Sequence, residues 1–261
     1  MDTGRSGAFT RIVDAPLDPA PPRAVPAWSG LNCSVLFCDV AGFGDPSRTD
    51  GDRRAVREVT YRVLLDALED SGIRLADTYR EDRGDGALVI VSPAVPTASL
   101  VDPLAGRLGA ALRRHNDIAR PAVRVQLRVA LDVGPVTPDA EGLNGQVIIR
   151  AARLMEAPAL KSALAETGAD LGFIVSPFVY EAFVAHLDGP IDPGSFEHVT
   201  VRVKETTTSA WMHLAGTTAR PRRSPAQPSP AQEAPRASTV FAGEVQVRGD
   251  LVLGDKTVNE R

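Results

Sequence analysis

The 261-residue chain is 43% hydrophobic and 24% charged, an ordinary balance for a globular protein that excludes a wholly disordered or collagen-like chain. Its 29 Lys and Arg against 33 Asp and Glu leave a net charge of −4, which supplies no global electrostatic drive toward nucleic acid. The length fits one large domain, or one domain with appendages.

Two Pro-rich segments divide the chain. Five of the 13 residues from Ala15 to Ala27 are proline, which sustains neither helix nor central strand. From Thr217 to Ser238, ten of 22 residues are Pro or Ala, with four Arg and one Glu. Such a composition buries no core and reads as an extended linker. The expected organisation is therefore an N-terminal Pro-rich extension (1–29), a folded domain (30–216), a disordered Pro/Ala/Arg linker (217–238) and a C-terminal segment (239–261). In that last segment Val245, Val247, Leu251 and Leu253 follow strand patterning between glycines. A strand pair that short needs a partner surface, which its own domain, a second copy of the chain or a partner protein could supply. No run of 18 apolar residues predicts a membrane span, and the N-terminus lacks the apolar stretch of a signal peptide. A cytoplasmic protein is the expectation. Cys33 and Cys38 have no second pair and read as buried small hydrophobes.

Within the domain, Ser34 to Val40 predicts a buried strand. Val56, Val59, Val63, Leu64 and Leu68 give helical spacing over Arg53–Ser71, with Gly72 as the stop. Arg74–Arg80 and Ala87–Val91 predict two strands joined through Arg83-Gly-Asp-Gly86, a hairpin loop. Leu100, Leu104, Leu108, Ala111 and Leu112 predict one helix over Thr97–Ile118. Val123–Gly134 alternates as a half-exposed strand. Helices are predicted over Asn144–Met155 and Pro158–Ala165. A strand, a helix over Pro177–His186 and two further strands complete the domain. The fold class read from this order is α+β: a ferredoxin-like βαββαβ sheet with helices on one face, followed by the linker and the β-patterned tail.

Two constellations carry chemistry. In Phe37-Cys-Asp-Val-Ala-Gly-Phe-Gly44, Asp39 ends a buried strand and a glycine-rich turn follows. A carboxylate there suits a hard cation, and backbone N–H groups in such a turn suit phosphate oxygens. In Arg80-Glu-Asp-Arg-Gly-Asp-Gly86, Asp85 occupies a tight turn between hydrophobic strands. If that hairpin lies beside the Asp39 strand, two carboxylates converge, enough for Mg²⁺ when substrate phosphates complete the shell. Each motif alone is also consistent with a plain turn. His115, His186, His198 and His213 have no metal-ligand spacing.

These motifs, F-x-D-V-x-G-F followed about 45 residues later by G-D-G, resemble the class III nucleotide cyclase catalytic domain. The resemblance continues in order through Leu127–Val136, Gly142–Glu156 and Val201–Leu214. It implies an intracellular signalling enzyme that converts an NTP to a 3′,5′-cyclic nucleotide and pyrophosphate. It assigns two Mg²⁺ or Mn²⁺ ions to Asp39 and Asp85, and phosphate contacts to the turn of Val40, Ala41, Gly42 and Phe43. Arg153 would stabilise charge on the reacting phosphates, Lys204 would grip the triphosphate, and Glu81 would read the base. The resemblance also implies a homodimer, with the metal aspartates from one copy and Glu81, Arg153 and Lys204 from the other. Two departures stand out. Gly142 occupies the second base-reading position. Ile149 stands where the family's helix carries an Asn four residues before the arginine. A catalytically degenerate nucleotide-binding or dimerisation module in a signalling or defence system is the alternative, and GTP, ATP, UTP and CTP remain open as the substrate.

Overall fold

The computed structural model describes residues 28–140 and 142–216. The expectations for residues 1–27, for the linker (217–238) and for the tail (239–261) lie outside the described residues.

Among the described residues, nine strands and six α-helices run in the order β1 (Asn32–Val40), α1 (Asp50–Asp70), β2 (Thr78–Asp82), β3 (Gly86–Val91), α2 (Ala98–Val101), α3 (Leu104–Ile118), β4 (Leu127–Pro135), β5 (Thr137–Pro138), β6 (Leu143–Asn144), α4 (Gln146–Met155), α5 (Pro158–Thr167), β7 (Leu171–Val175), α6 (Pro177–Ala182), β8 (Glu197–Val203) and β9 (Thr206–Ala215). Seven strands form one sheet in the order β2-β3-β1-β4-β7-β9-β8, and β5 and β6 form a small separate hairpin. The β2-β3-β1-β4 part is the ferredoxin-like βαββαβ arrangement expected from the sequence: β1 is antiparallel to both neighbours, and β4 pairs β7 in parallel.

The central strand is apolar on both faces, as a doubly covered strand must be. Leu36, Cys38 and Val40 point into a core under α1 and α3, while Cys33, Val35 and Phe37 point into a second core under α4. Helix α1 buries Val56, Val59, Val63, Leu64, Ala67 and Leu68 on one stripe. At about 1.5–3 kcal/mol for a fully buried Val or Leu side chain, that stripe holds the helix against the sheet. Thr49 starts α1 with a capping box, its hydroxyl accepting from the Asp52 amide while the Asp52 carboxylate accepts from the Thr49 amide at 2.9 Å.

Three details differ from the sequence expectation. The helices α1, α2, α3 and α6 form the expected layer on one face, but α4 and α5 add cover to the opposite face through Val147, Ala151, Leu154 and Leu160. The helix predicted over Thr97–Ile118 is two helices, because Pro103 lacks an amide proton and constrains the residue before it, so α2 stops and α3 starts afresh. The strand predicted from Val123 begins only at Leu127, after a single 3₁₀ turn over Pro121–Val123. Both cysteines are buried, and burial pushes the Cys38 thiol up to about 12 and that of Cys33 up to about 11. They are inert packing residues. No helix among the described residues is long and apolar enough to cross a membrane.

Candidate functional site

The register of β1 sets the site. Asp39 stands opposite Gly86 of β3 on one side and opposite Arg128 of β4 on the other. The amide of Val40 donates to the carbonyl of Asp85 at 3.0 Å, which ties the Gly-Asp-Gly turn to the end of β1. The two glycines have different reasons to be there. Gly84 adopts φ +86°, a left-handed conformation that side chains disfavour. At Gly86 a Cβ would fall 1.9 Å from the carbonyl oxygen of Cys38, so only glycine lets β3 approach β1 this closely. The backbone of Asp85 is thus held against the end of β1, the placement on which the sequence reading made a two-carboxylate site conditional.

The Asp39 carboxylate is largely buried. Arg128 Nε donates to Oδ1 at 2.8 Å and Nη2 to Oδ2 at 2.7 Å. Burial raises the proton affinity of Asp39, the Arg128 charge opposes that rise, and the nearby charge of Asp85 adds to it. Arg128 occupies both oxygens of Asp39, so a divalent cation at this carboxylate must compete with the guanidinium, while Asp85 stands in the β2–β3 turn next to it. Among the described residues no set of three or more His, Cys, Asp or Glu side chains is grouped to hold a metal.

The β1–α1 turn is partly committed. The amides of Val40, Ala41 and Phe43 donate to Asp85, Gln126 and Val40 carbonyls. Those of Gly42 and Gly44 have no hydrogen-bond partner among the described residues, and Gly42 has φ +64°. The Phe43 side chain packs against the core under α1 and anchors the turn. Beside it lies an open cavity of about 430 Å³ lined by Ala41, Gly42, Arg48, Gln126, Arg128 and Lys161, among others. Arg48 donates to the Arg124 carbonyl at 3.0 Å, while its Nη1 is buried without a partner. Arg48, Arg128 and Lys161 thus line this cavity together with the acidic Asp45, and Arg128 is already paired with Asp39.

Glu81, on β2, lies on the same sheet face as Asp39. It pairs with Arg83 at 3.2 Å and receives the Tyr79 hydroxyl at 3.4 Å, and the Arg83 guanidinium sits 5.8 Å from the Phe37 ring centroid.

Arg153 and Lys204 are elsewhere. Arg153, near the end of α4, pairs with Glu205 at 3.2 Å, and its Nε is buried without a partner. Lys204 and Glu205 form the two-residue turn between β8 and β9, with Lys204 at φ +51°. The β9 register places Ala215 level with Leu171, and Leu171 level with Leu127, at the Asp39 end of the sheet. The Lys204 turn is therefore at the opposite end. One copy of the chain brings Asp39, Asp85, the β1–α1 turn and Glu81 to one end of the sheet, and Arg153 with Lys204 to the other.

Sequence reading missed Arg128, Lys161 and Glu205. Arg128 was visible as a polar residue on the alternating face of β4, but its pairing depends on β4 being the neighbour of β1. Ile149, the departure noted in the sequence, is exposed on α4 one turn before Arg153.

No protein-family profile and no curated protein sequence matches the chain. Solved structures do. An adenylate/guanylate cyclase/hydrolase from Silicibacter pomeroyi superposes with a TM-score of 0.50 at 22% identity, over 70% of this chain and 96% of that one. The chain has a class III nucleotide cyclase fold. The guanylyl cyclase Cya2 is also similar, with a TM-score of 0.49 at 17% identity over 74% of this chain and 95% of that one. A bacterial light-regulated adenylyl cyclase gives 0.48 at 9% identity, over 72% of this chain and 92% of that one.

Proposed function

We propose that this chain is a nucleotide cyclase acting in the cytoplasm as a homodimer, converting an NTP to a 3′,5′-cyclic nucleotide and pyrophosphate as an intracellular signal. The observation that supports this reading is the Gly84-Asp85-Gly86 turn bonded to the end of β1 that carries Asp39, beside a turn whose Gly42 and Gly44 amides have no partner among the described residues and a cavity lined in part by Arg48, Arg128 and Lys161.

In the reaction the ribose 3′-oxygen attacks the α-phosphorus in line, the bond from that phosphorus to the bridging oxygen breaks, and pyrophosphate leaves. The amides of Gly42 and Gly44 face the phosphates, and Arg128 with Lys161 balances the charge that builds on the departing pyrophosphate. Asp39 and Asp85 would hold Mg²⁺ or Mn²⁺, two ions in all, which would supply activation of the 3′-hydroxyl and charge neutralisation. Arg153 and Lys204 lie at the far end of the sheet in the same chain, so they serve the site of a second copy packed head to tail. Glu81, at the Asp39 end, accepts hydrogen bonds from a base edge, which fits the N–H groups of guanine better than the acceptor N1 of adenine. Its own chain's Asp39 shares its sheet face, so which copy's base it reads follows from the dimer geometry.

The test is release of pyrophosphate by the purified chain with each of the four NTPs and Mn²⁺. Turnover absent above an Asp39→Ala control defeats the proposal.

Ile149 favours a second reading, a degenerate module that binds nucleotide without turnover, because its exposed apolar side chain offers no hydrogen bond beside Arg153. Ile149→Asn separates the two: a rate gain of about 10²-fold marks a competent site limited by one missing contact, and saturable binding with no turnover in either form marks the module.

A further inference from the structure

Asp85 is held by a network that the reaction scheme does not use. Its turn has glycine on both sides of Asp85, a permissive stretch of backbone. Yet every carbonyl around it is engaged. Arg57, on α1, donates through Nη1 to the carbonyl of Gly84. The Val40 amide holds the carbonyl of Asp85 at 3.0 Å, and the Arg83 amide holds that of Gly86 at 2.9 Å. The Tyr61 hydroxyl, one helical turn after Arg57, lies 2.8 Å from the Gly86 carbonyl and 2.8 Å from Oδ1 of Asp82, sharing its proton between them. Asp82 joins the parts: it takes Arg57 Nη1 at 3.1 Å and Nη2 at 2.7 Å, and its Oδ1 also accepts the Gly84 amide at 2.8 Å. Asp82 is the other carboxylate of the Arg-Glu-Asp-Arg-Gly-Asp-Gly motif, and these bonds consume it.

We propose that Arg57 and Tyr61, acting through Asp82 and the Gly84 and Gly86 carbonyls, are positioning residues that preset the Asp85 carboxylate for a divalent cation. The inference rests on the reading of Asp39 and Asp85 as a cation site. The physical reason is preorganisation. A Gly-Asp-Gly turn free to sample many conformations loses that freedom when its carboxylate is fixed on an ion, and this loss opposes binding. Anchoring three consecutive carbonyls beforehand removes the loss. Groups that orient a ligand without touching the ion contribute about 10-fold to 100-fold in affinity.

The experiment measures Mn²⁺ binding to the full chain by electron paramagnetic resonance, with non-cyclisable α,β-methylene analogues of the four NTPs present and against a protein-free control, alongside the melting temperature and the hydrogen exchange of the Val40 and Arg83 amides. Tyr61→Phe removes only the hydroxyl, and Arg57→Lys removes the two-pronged grip on Asp82. Ile73→Val, in the core and away from the turn, serves as a control for general destabilisation. The expected result is Mn²⁺ affinity weakened about 10-fold in Tyr61→Phe and Arg57→Lys, with faster exchange at Val40 and Arg83 and no change of affinity in Ile73→Val. Wild-type affinity in both turn variants, or an equal loss in Ile73→Val, overturns the positioning role while leaving the cation site standing. A wild-type chain that binds no Mn²⁺ overturns the cation site and the positioning role together.

Discussion

Arg128 grips both carboxylate oxygens of Asp39 across the β1–β4 pair, at 2.8 and 2.7 Å, with both side chains largely withdrawn from water. Removing one partner of such a pair leaves a charge without compensation, which is worse than removing both. Arg128→Ala is expected to lower stability by about 3–5 kcal/mol, and the Asp39→Ala, Arg128→Ala double variant to lose less than the sum of the singles. Urea unfolding of the four forms gives the coupling, expected at about 1–3 kcal/mol. Strict additivity contradicts the pairing.

The glycines of the Gly-Asp-Gly turn predict an order of damage. Gly84→Ala meets no neighbour within 4 Å and suffers only its φ of +86°, about 1 kcal/mol. Gly86→Ala puts a Cβ into the backbone of Cys38 and Asp39 and must part β3 from β1, about 3 kcal/mol or more. Thermal unfolding ranks them. Equal damage, or the reverse order, would show that β3 does not lie where its register puts it.

Arg57, the Gly84 amide and Tyr61 together hold the Asp82 carboxyl well below the usual carboxylate range. A group whose proton affinity falls on folding stabilises the fold above its unfolded value, near pH 4, and loses that contribution as acid carries the pH down toward its folded value. The wild-type melting temperature should therefore fall on acidification below about pH 4, and that of Asp82→Asn should fall less. Matching acid profiles would remove Asp82 from the network.

Much of this was legible in the sequence. The apolar run ending in Asp39, the glycine spacing around Asp85 and the alternation in β4 are local signals that give the strands and the turn, while the pairing of β3 with β1 that brings Asp85 to the end of β1 was only a condition of the reading. The grip of Arg128 on Asp39 was not legible, because it depends on β4, some 90 residues along the chain, closing against the far edge of β1. The roles of Arg57 and Tyr61 were hidden for a related reason: their spacing on α1 says only that they share a helix face, and nothing local says that the β2–β3 turn lies under it. The break at Pro103 carried a plain signal, which the apolar periodicity on either side outweighed. The pairing of Arg153 with Glu205 required knowing where the β8–β9 turn meets α4.

Lys204 occupies a left-handed conformation at φ +51° in a two-residue turn, where a residue with a side chain is strained by about 1 kcal/mol. Strain of this kind persists where function needs the side chain. Lys204→Gly is expected to raise the melting temperature and, on the proposed function, to weaken NTP binding, seen as a higher KM. A stabilised variant with unchanged KM would make the turn purely structural.

The account turns on the pair of carboxylates at the end of β1 serving a cyclisation. Mass spectrometry of the products formed from mixed NTPs and Mn²⁺ tests this most directly, with Asp39→Ala and Asp85→Ala incubated in parallel. A 3′,5′-cyclic nucleotide made by the wild-type chain and by neither variant is the predicted result. A cyclic product that survives both substitutions, or none from the folded wild-type chain, contradicts it.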